Sequence, residues 1–148
     1  MTLIFNRREA LALAAASMVA LGAPQAFAKN DADEAIKKFT GGKTPAQGKV
    51  NLDLPEIAEN GNTVPMTVTV DSPMTEQSHV TDVLIVANEN PRSGVATFHF
   101  SPTSGVAEAN TRIRLSATQD VIAVAKMNDG SVFMGSKQVM VTVGGCGG

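Results

Sequence analysis

The sequence predicts an all-β protein: an immunoglobulin-like antiparallel β-sandwich of about seven or eight strands, with a short N-terminal helix and a flexible C-terminal glycine tail. Three observations predict it. Valine, isoleucine and leucine recur at every second position over several short runs. Turn-forming residues cut the chain between those runs at close spacing. The length, 148 residues, fits one such domain.

The elements follow in chain order. Asp31 to Phe39 reads as a helix, with acidic residues early, Lys37 and Lys38 late, and Gly41-Gly42 as its stop. Ala35, Ile36 and Phe39 form one apolar stripe on it. Strand signals come next. Val50, Leu52 and Leu54 alternate with polar residues, and so do Val64, Met66, Val68 and Val70. Further strands are predicted over Val80 to Ala87, Ala96 to Ser101, Thr111 to Ala117, Val121 to Met127, Ser131 to Gly135 and Gln138 to Val143. Turns are predicted at Glu59-Asn60-Gly61-Asn62, Ser72-Pro73, Asn88 to Gly94 and Ser101 to Gly105. Asp129-Gly130 is a hairpin signal. The chain holds no tryptophan and one cysteine, so the cysteine-tryptophan-cysteine mark of antibody domains is missing.

Val83-Leu84-Ile85-Val86 and Val121-Ile122-Ala123-Val124-Ala125 are apolar on both faces. A sandwich strand ordinarily turns one face to water, so these runs imply either a second cover or an outer face richer than average in apolar residues. For a cover, the N-terminal helix is one candidate and a partner protein is the other.

Residues 1–28 read as a cleaved secretory signal peptide. Arg7 and Arg8 precede an apolar run from Leu11 to Leu21, and Ala26-Phe27-Ala28 fits the cleavage pattern of small residues at Ala26 and Ala28. The paired arginines point to the twin-arginine route. The apolar run is too short for a membrane anchor. The expected location is therefore the periplasm. Removal of the leader leaves ten basic against thirteen acidic residues, with no basic run to suit nucleic acid. His79 and His99 stand twenty residues apart with no ligand spacing, so no metal and no cofactor site is expected.

The expected organisation is completed by a sandwich over residues 29–143 and a flexible arm over 144–148. The arm reads Gly144-Gly145-Cys146-Gly147-Gly148. Glycine has the widest backbone freedom, so the arm should be thin and mobile. From Val143 to Cys146 an extended chain reaches about 10 Å. An unpaired cysteine in an exported protein is a reactive thiol or one half of an intermolecular bond. An ordinary thiol has a pKa of about 8.5 and is a few per cent thiolate at neutral pH. No Lys, Arg or His follows Lys137 in this chain. The arm thus supplies a handle, and activation must come from an enzyme that receives it.

The glycine-flanked cysteine behind Val141-Thr142-Val143 resembles the carboxy-terminal signature of the SoxY family. Asn60 to Pro65, His79 to Asn90, Thr111 to Leu115 and Met127 to Gly130 resemble that family's body. The resemblance covers roughly residues 30 to 148. It implies a non-enzymatic carrier that holds thiosulfate-derived sulfur on Cys146 as an immunoglobulin-like subunit paired with SoxZ. It also implies three transient partners: a haem enzyme of the SoxAX type that loads thiosulfate oxidatively, a SoxB-type hydrolase that releases sulfate, and a sulfur dehydrogenase. Two other classes compete. An enzyme with Cys146 as nucleophile needs a base held roughly 3 Å away, which a mobile tail cannot provide. An adhesin-like domain would use Cys146 for a structural intermolecular disulfide.

Overall fold

The computed structural model describes residues 31–145. In chain order these form helix α1 (Ala32–Thr40), β1 (Ala46–Gln47), β2 (Val50–Asp53), β3 (Ile57–Asn60), β4 (Val64–Val70), β5 (Val80–Ala87), β6 (Gly94–His99), a 3-10 turn (Pro102–Ser104), β7 (Ala107–Ile113), β8 (Gln119–Met127) and β9 (Val132–Val143). A smaller sheet has the order β2-β4-β7. The larger has the order β1-β9-β8-β5-β6, with β3 also paired to β9. The predicted immunoglobulin-like sandwich is present.

Period-two patterning explains how the sheets face each other. Val64, Met66, Val68 and Val70 of β4 are all buried, while Pro65 points outward. They meet Val83, Ile85 and Ala87 of β5 and Val121, Ala123 and Ala125 of β8 in one core. Branched side chains on a pleated surface fill such a core with little rotamer loss.

The helix supplies the second cover. Ala32, Ile36 and Phe39 pack against Leu84, Val86 and Ile122, the outward residues of β5 and β8. The Lys126 ammonium lies 4.9 Å from the Phe39 ring centroid and adds a cation–π contact. Asp31 Oδ1 accepts the Ser93 amide at 3.1 Å, tying the start of the helix to the β5–β6 turn. The doubly apolar strands are thus explained within the chain. A partner is not needed on this face.

Several elements differ from the sequence reading. The larger sheet is mixed, because β1 and β3 both run parallel to β9 along its outer edge. Neither short strand was expected. β3 ends in Glu59-Asn60, which reads as turn, but the Asn60 side chain accepts the Asn62 amide at 3.0 Å, so the turn begins one residue later. The two strands expected over Ser131–Gly135 and Gln138–Val143 are one, β9. Gly135 is no break. A Cβ there would stand 2.5 Å from the Val50 carbonyl, so the glycine lets β2 pass close. β7 begins at Ala107, ahead of the expected Thr111, because Glu108, Asn110 and Arg112 all face solvent. β8 begins at Gln119, ahead of Val121, with the glutamine amide buried and bonded. β6 covers Gly94–His99, where Ala96 to Ser101 was expected. The Asp129-Gly130 hairpin is as read: Met127 donates to the Ser131 carbonyl at 2.9 Å and Gly130 takes φ +82°.

The helix cover is testable. Ile36→Asp places a carboxylate against Val86 and Leu84. It should lower the unfolding free energy by about 2–3 kcal/mol in a chemical denaturation curve. An unchanged midpoint would show that the helix does not cover this face.

Candidate functional site at the C-terminal arm

The site is built from the end of β9. Three parallel register positions with β3 carry this strand outward: Ile57 beside Met140, Ala58 beside Val141, and Asn60 beside Val143. Beyond Val143 the sheet ends, yet the backbone does not come free. A chain of backbone hydrogen bonds takes over. The Gly61 amide donates to the Val143 carbonyl at 2.8 Å. The Leu115 amide donates to the Gly61 carbonyl at 2.8 Å. The Gly145 amide donates to the Leu115 carbonyl, again at 2.8 Å.

This closeness requires glycine. A Cβ on Gly61 would lie 2.2 Å from the Leu115 carbonyl oxygen and 2.7 Å from the Gly145 nitrogen. A Cβ on Gly144 would lie 2.1 Å from the Ser116 oxygen. One on Gly145 would lie 2.7 Å from the Gly61 oxygen. None of these distances is open to a real side chain. The three glycines are there for backbone contact, and none of them has a positive φ. The arm therefore has a seated root, Gly144-Gly145, with Gly145 buried.

The seat is itself braced. Asn90 is buried and spans the loop behind it. Its amide donates to the Arg114 carbonyl at 2.9 Å, and its Oδ1 accepts the Ser116 amide at 2.9 Å. Gln119 Nε2 donates to the same Oδ1 at 3.0 Å, and Gln119 Oε1 accepts the Glu89 amide at 2.9 Å. The Ser116 hydroxyl donates to the Glu89 carbonyl at 3.0 Å. Buried amides that are fully bonded on both sides hold a loop in one arrangement. Leu115 and Ser116 are thereby fixed where Gly144 and Gly145 need them.

The sequence reading placed Gly144 and Gly145 in the flexible arm. In the structure both are held, for the steric reason just given. Cys146, Gly147 and Gly148 lie outside the described residues, as do Arg7, Arg8, Ala26 and Ala28. Reading the sequence did not single out Gly61, Asn90, Leu115, Ser116 or Gln119 as site residues. A buried Asn and Gln bracketing a loop leave no periodic signal, and Gly61 reads as an ordinary turn glycine.

The histidines stand elsewhere. His79 Nδ1 is 3.0 Å from the Thr75 carbonyl, and His99 pairs with Asp82. Among the described residues no group of three or more His, Cys, Asp and Glu is placed to hold a metal ion. Among them too, no helix is long and apolar enough to cross a membrane.

Comparison with known proteins bears on the family and the fold. The family described as sulfur oxidation protein SoxY matches residues 36–146. The solved structure of the sulfur carrier protein SoxY from Chlorobium limicola f thiosulfatophilum is 29% identical, with a TM-score of 0.62 over 75% of this chain and 96% of that one. Superoxide reductase (neelaredoxin) from Ignicoccus hospitalis is 14% identical, with a TM-score of 0.58 over 64% of this chain and 80% of its own. A putative superoxide reductase from Thermotoga maritima is 18% identical, with a TM-score of 0.53 over 70% of this chain and 89% of its own. The last two share the fold alone. No curated protein matches the chain.

The glycine seat predicts an order of effects. Gly61→Ala forces backbone apart at a buried junction and should cost about 1–3 kcal/mol of stability. Gly144→Ala only lifts the root and forfeits one hydrogen bond, about 1 kcal/mol. Gly94→Ala, where a Cβ would meet nothing within 4 Å, should cost little. Denaturant midpoints check the ranking, and equal midpoints for all three variants would contradict it.

Proposed function

This chain belongs to the SoxY family, the sulfur carriers of the Sox system, and on that premise we propose that it carries thiosulfate-derived sulfur covalently on Cys146. One observation carries the reading. The sole cysteine of the chain follows directly on a glycine seat that anchors its backbone to the sandwich. A seated root followed by a glycine-flanked thiol suits a handle that is presented from one fixed point and fits narrow enzyme channels.

The chemistry asked of the thiol is simple. In loading, the Cys146 sulfur joins the outer sulfur of thiosulfate. The thiol proton is released, two electrons pass to a haem partner, and Cys146–S–S–SO₃⁻ results. Hydrolysis then adds one water, releases sulfate and two protons, and leaves the persulfide Cys146–S–S⁻. A dehydrogenase removes the remaining sulfur by further oxidation. Each bond on sulfur is reversible by exchange, which a carrier needs and a structural crosslink does not. Among the described residues, the side chains that brace the seat are the amides and hydroxyl of Asn90, Gln119 and Ser116, which are weak bases. Activation therefore belongs to the receiving enzymes.

The setting of this activity is the periplasm, reached through the leader carrying Arg7 and Arg8. The partners are a SoxZ-like sandwich subunit, a SoxAX-type haem enzyme, a SoxB-type hydrolase and a sulfur dehydrogenase. Family membership supports the partner assignments, and the leader motif of Arg7-Arg8 with Ala26-Phe27-Ala28 is what supports the location.

Intact mass spectrometry of the chain isolated during growth on thiosulfate tests the proposal. The expected spectrum is a mixture of sulfur and thiosulfonate additions that collapses to one mass on reduction. Cys146→Ser should remove every addition and thiosulfate oxidation with it, while the unfolding midpoint stays in place. Additions or oxidation that persist in the serine variant would refute the carrier role.

A further inference from the structure

Arg92, Arg112 and Arg114 are the only arginines between residues 31 and 145, and all three line one cleft of about 230 Å³. Asn90, Val95 and Ile113 contribute to its wall, and no carboxylate or lysine does. Among the described residues none of the three has an ion pair. The Arg112 guanidinium makes one long side-chain hydrogen bond, 3.4 Å, to the Thr63 hydroxyl. A guanidinium has five donors in a planar fork. Three such forks at one cleft, without a counter-charge, repel each other and leave most of their donors to water. An oxyanion satisfies both deficits, and arginine is the side chain best shaped to grip one.

The cleft and the arm seat are parts of one piece. Arg112 and Arg114 stand on the segment whose next residues, Leu115 and Ser116, hold Gly145 and Gly144. Asn90 lines the cleft and binds both the Arg114 carbonyl and the Ser116 amide. Thr63, which Arg112 touches, lies two residues beyond Gly61 of the seat. The Gly145 amide is 2.8 Å from the Leu115 oxygen. By bond lengths, that puts it within roughly 9 Å of the Arg114 Cα. Cys146 is the next residue. An arginine side chain and a cysteine-borne S–S–SO₃⁻ group together span that gap.

We propose that Arg92, Arg112 and Arg114 form a docking site for the sulfonate end of the thiosulfate-derived group on Cys146. The inference rests on the carrier reading above. It adds a resting place on this chain for the loaded arm between encounters with enzymes. A sulfur oxyanion can come from the carried group or from the free ion, and tethering favours the former. A short flexible tether gives an effective concentration of about millimolar, which a free ion must match.

The test uses the mature chain from residue 29, nitrogen-15 labelled, and reads the arginine Nε–H signals by NMR. Tetrathionate loads the thiol: the Cys146 thiolate displaces thiosulfate and leaves Cys146–S–S–SO₃⁻. Intact mass confirms the loading. A second sample is capped with iodoacetamide, which adds no charge. Loading should shift the signals of Arg92, Arg112 and Arg114, the arginines that remain once residues 1–28 are removed. Capping should shift none. Thiosulfate or sulfate added to the capped chain should move the same three signals only at millimolar concentration. A fully loaded chain with unmoved arginine signals overturns the docking site and leaves the carrier reading intact. A chain that accepts no thiosulfonate at Cys146 overturns the carrier reading. A capped chain that responds to micromolar free thiosulfate, while loading moves nothing, assigns the cleft to the free ion and also overturns the proposal.

Discussion

The arm of this protein depends on a contact between backbones. Gly61, Leu115 and Gly145 are linked carbonyl to amide at 2.8 Å, and the gaps between them admit no Cβ. Backbone hydrogen bonds at buried positions must be made or the groups are stranded without water. At this junction they are made across three separate segments: the turn after β3, the chain leaving β7, and the end of β9. The arm root is the piece that completes the set. It is therefore part of the fold, although it reads in the sequence as the beginning of a loose tail.

The rest of the architecture serves this junction. Parallel pairing with β3 guides β9 past the end of the sandwich. The Asn90–Gln119 pair fixes the loop that presents Leu115 and Ser116. The helix, by covering Leu84 and Val86, lets β5 be apolar on both faces and so sit deep in the larger sheet. The same loop that holds the root also carries Arg114, so position of the arm and charge beside it are set together.

Much of the fold is legible in the residues, because alternation reports burial directly. Val64, Met66, Val68 and Val70 alternate in sequence and are buried in space. The doubly apolar strands called for a second cover, and α1 is that cover. Periodicity is silent where polar residues sit in strands. Glu108 and Asn110 concealed the start of β7, and Gln119 concealed that of β8. Glycine was the most misleading signal. Gly144 and Gly145 read as freedom and Gly135 as the end of a strand, whereas each marks a place where another backbone comes too close for a side chain. Composition cannot separate these two uses of glycine, because the difference lies in a neighbour distant in sequence. The lone cysteine was legible in the sequence, while the glycine seat that precedes it was not.

Amide hydrogen exchange at Gly145 in the unmodified chain tests the seated root most directly. The hydrogen bond to the Leu115 carbonyl predicts slow exchange there, with protection comparable to that of Leu115 itself. Exchange at the rate of an unstructured peptide would contradict the account, since the arm would then begin at Val143 with nothing holding it.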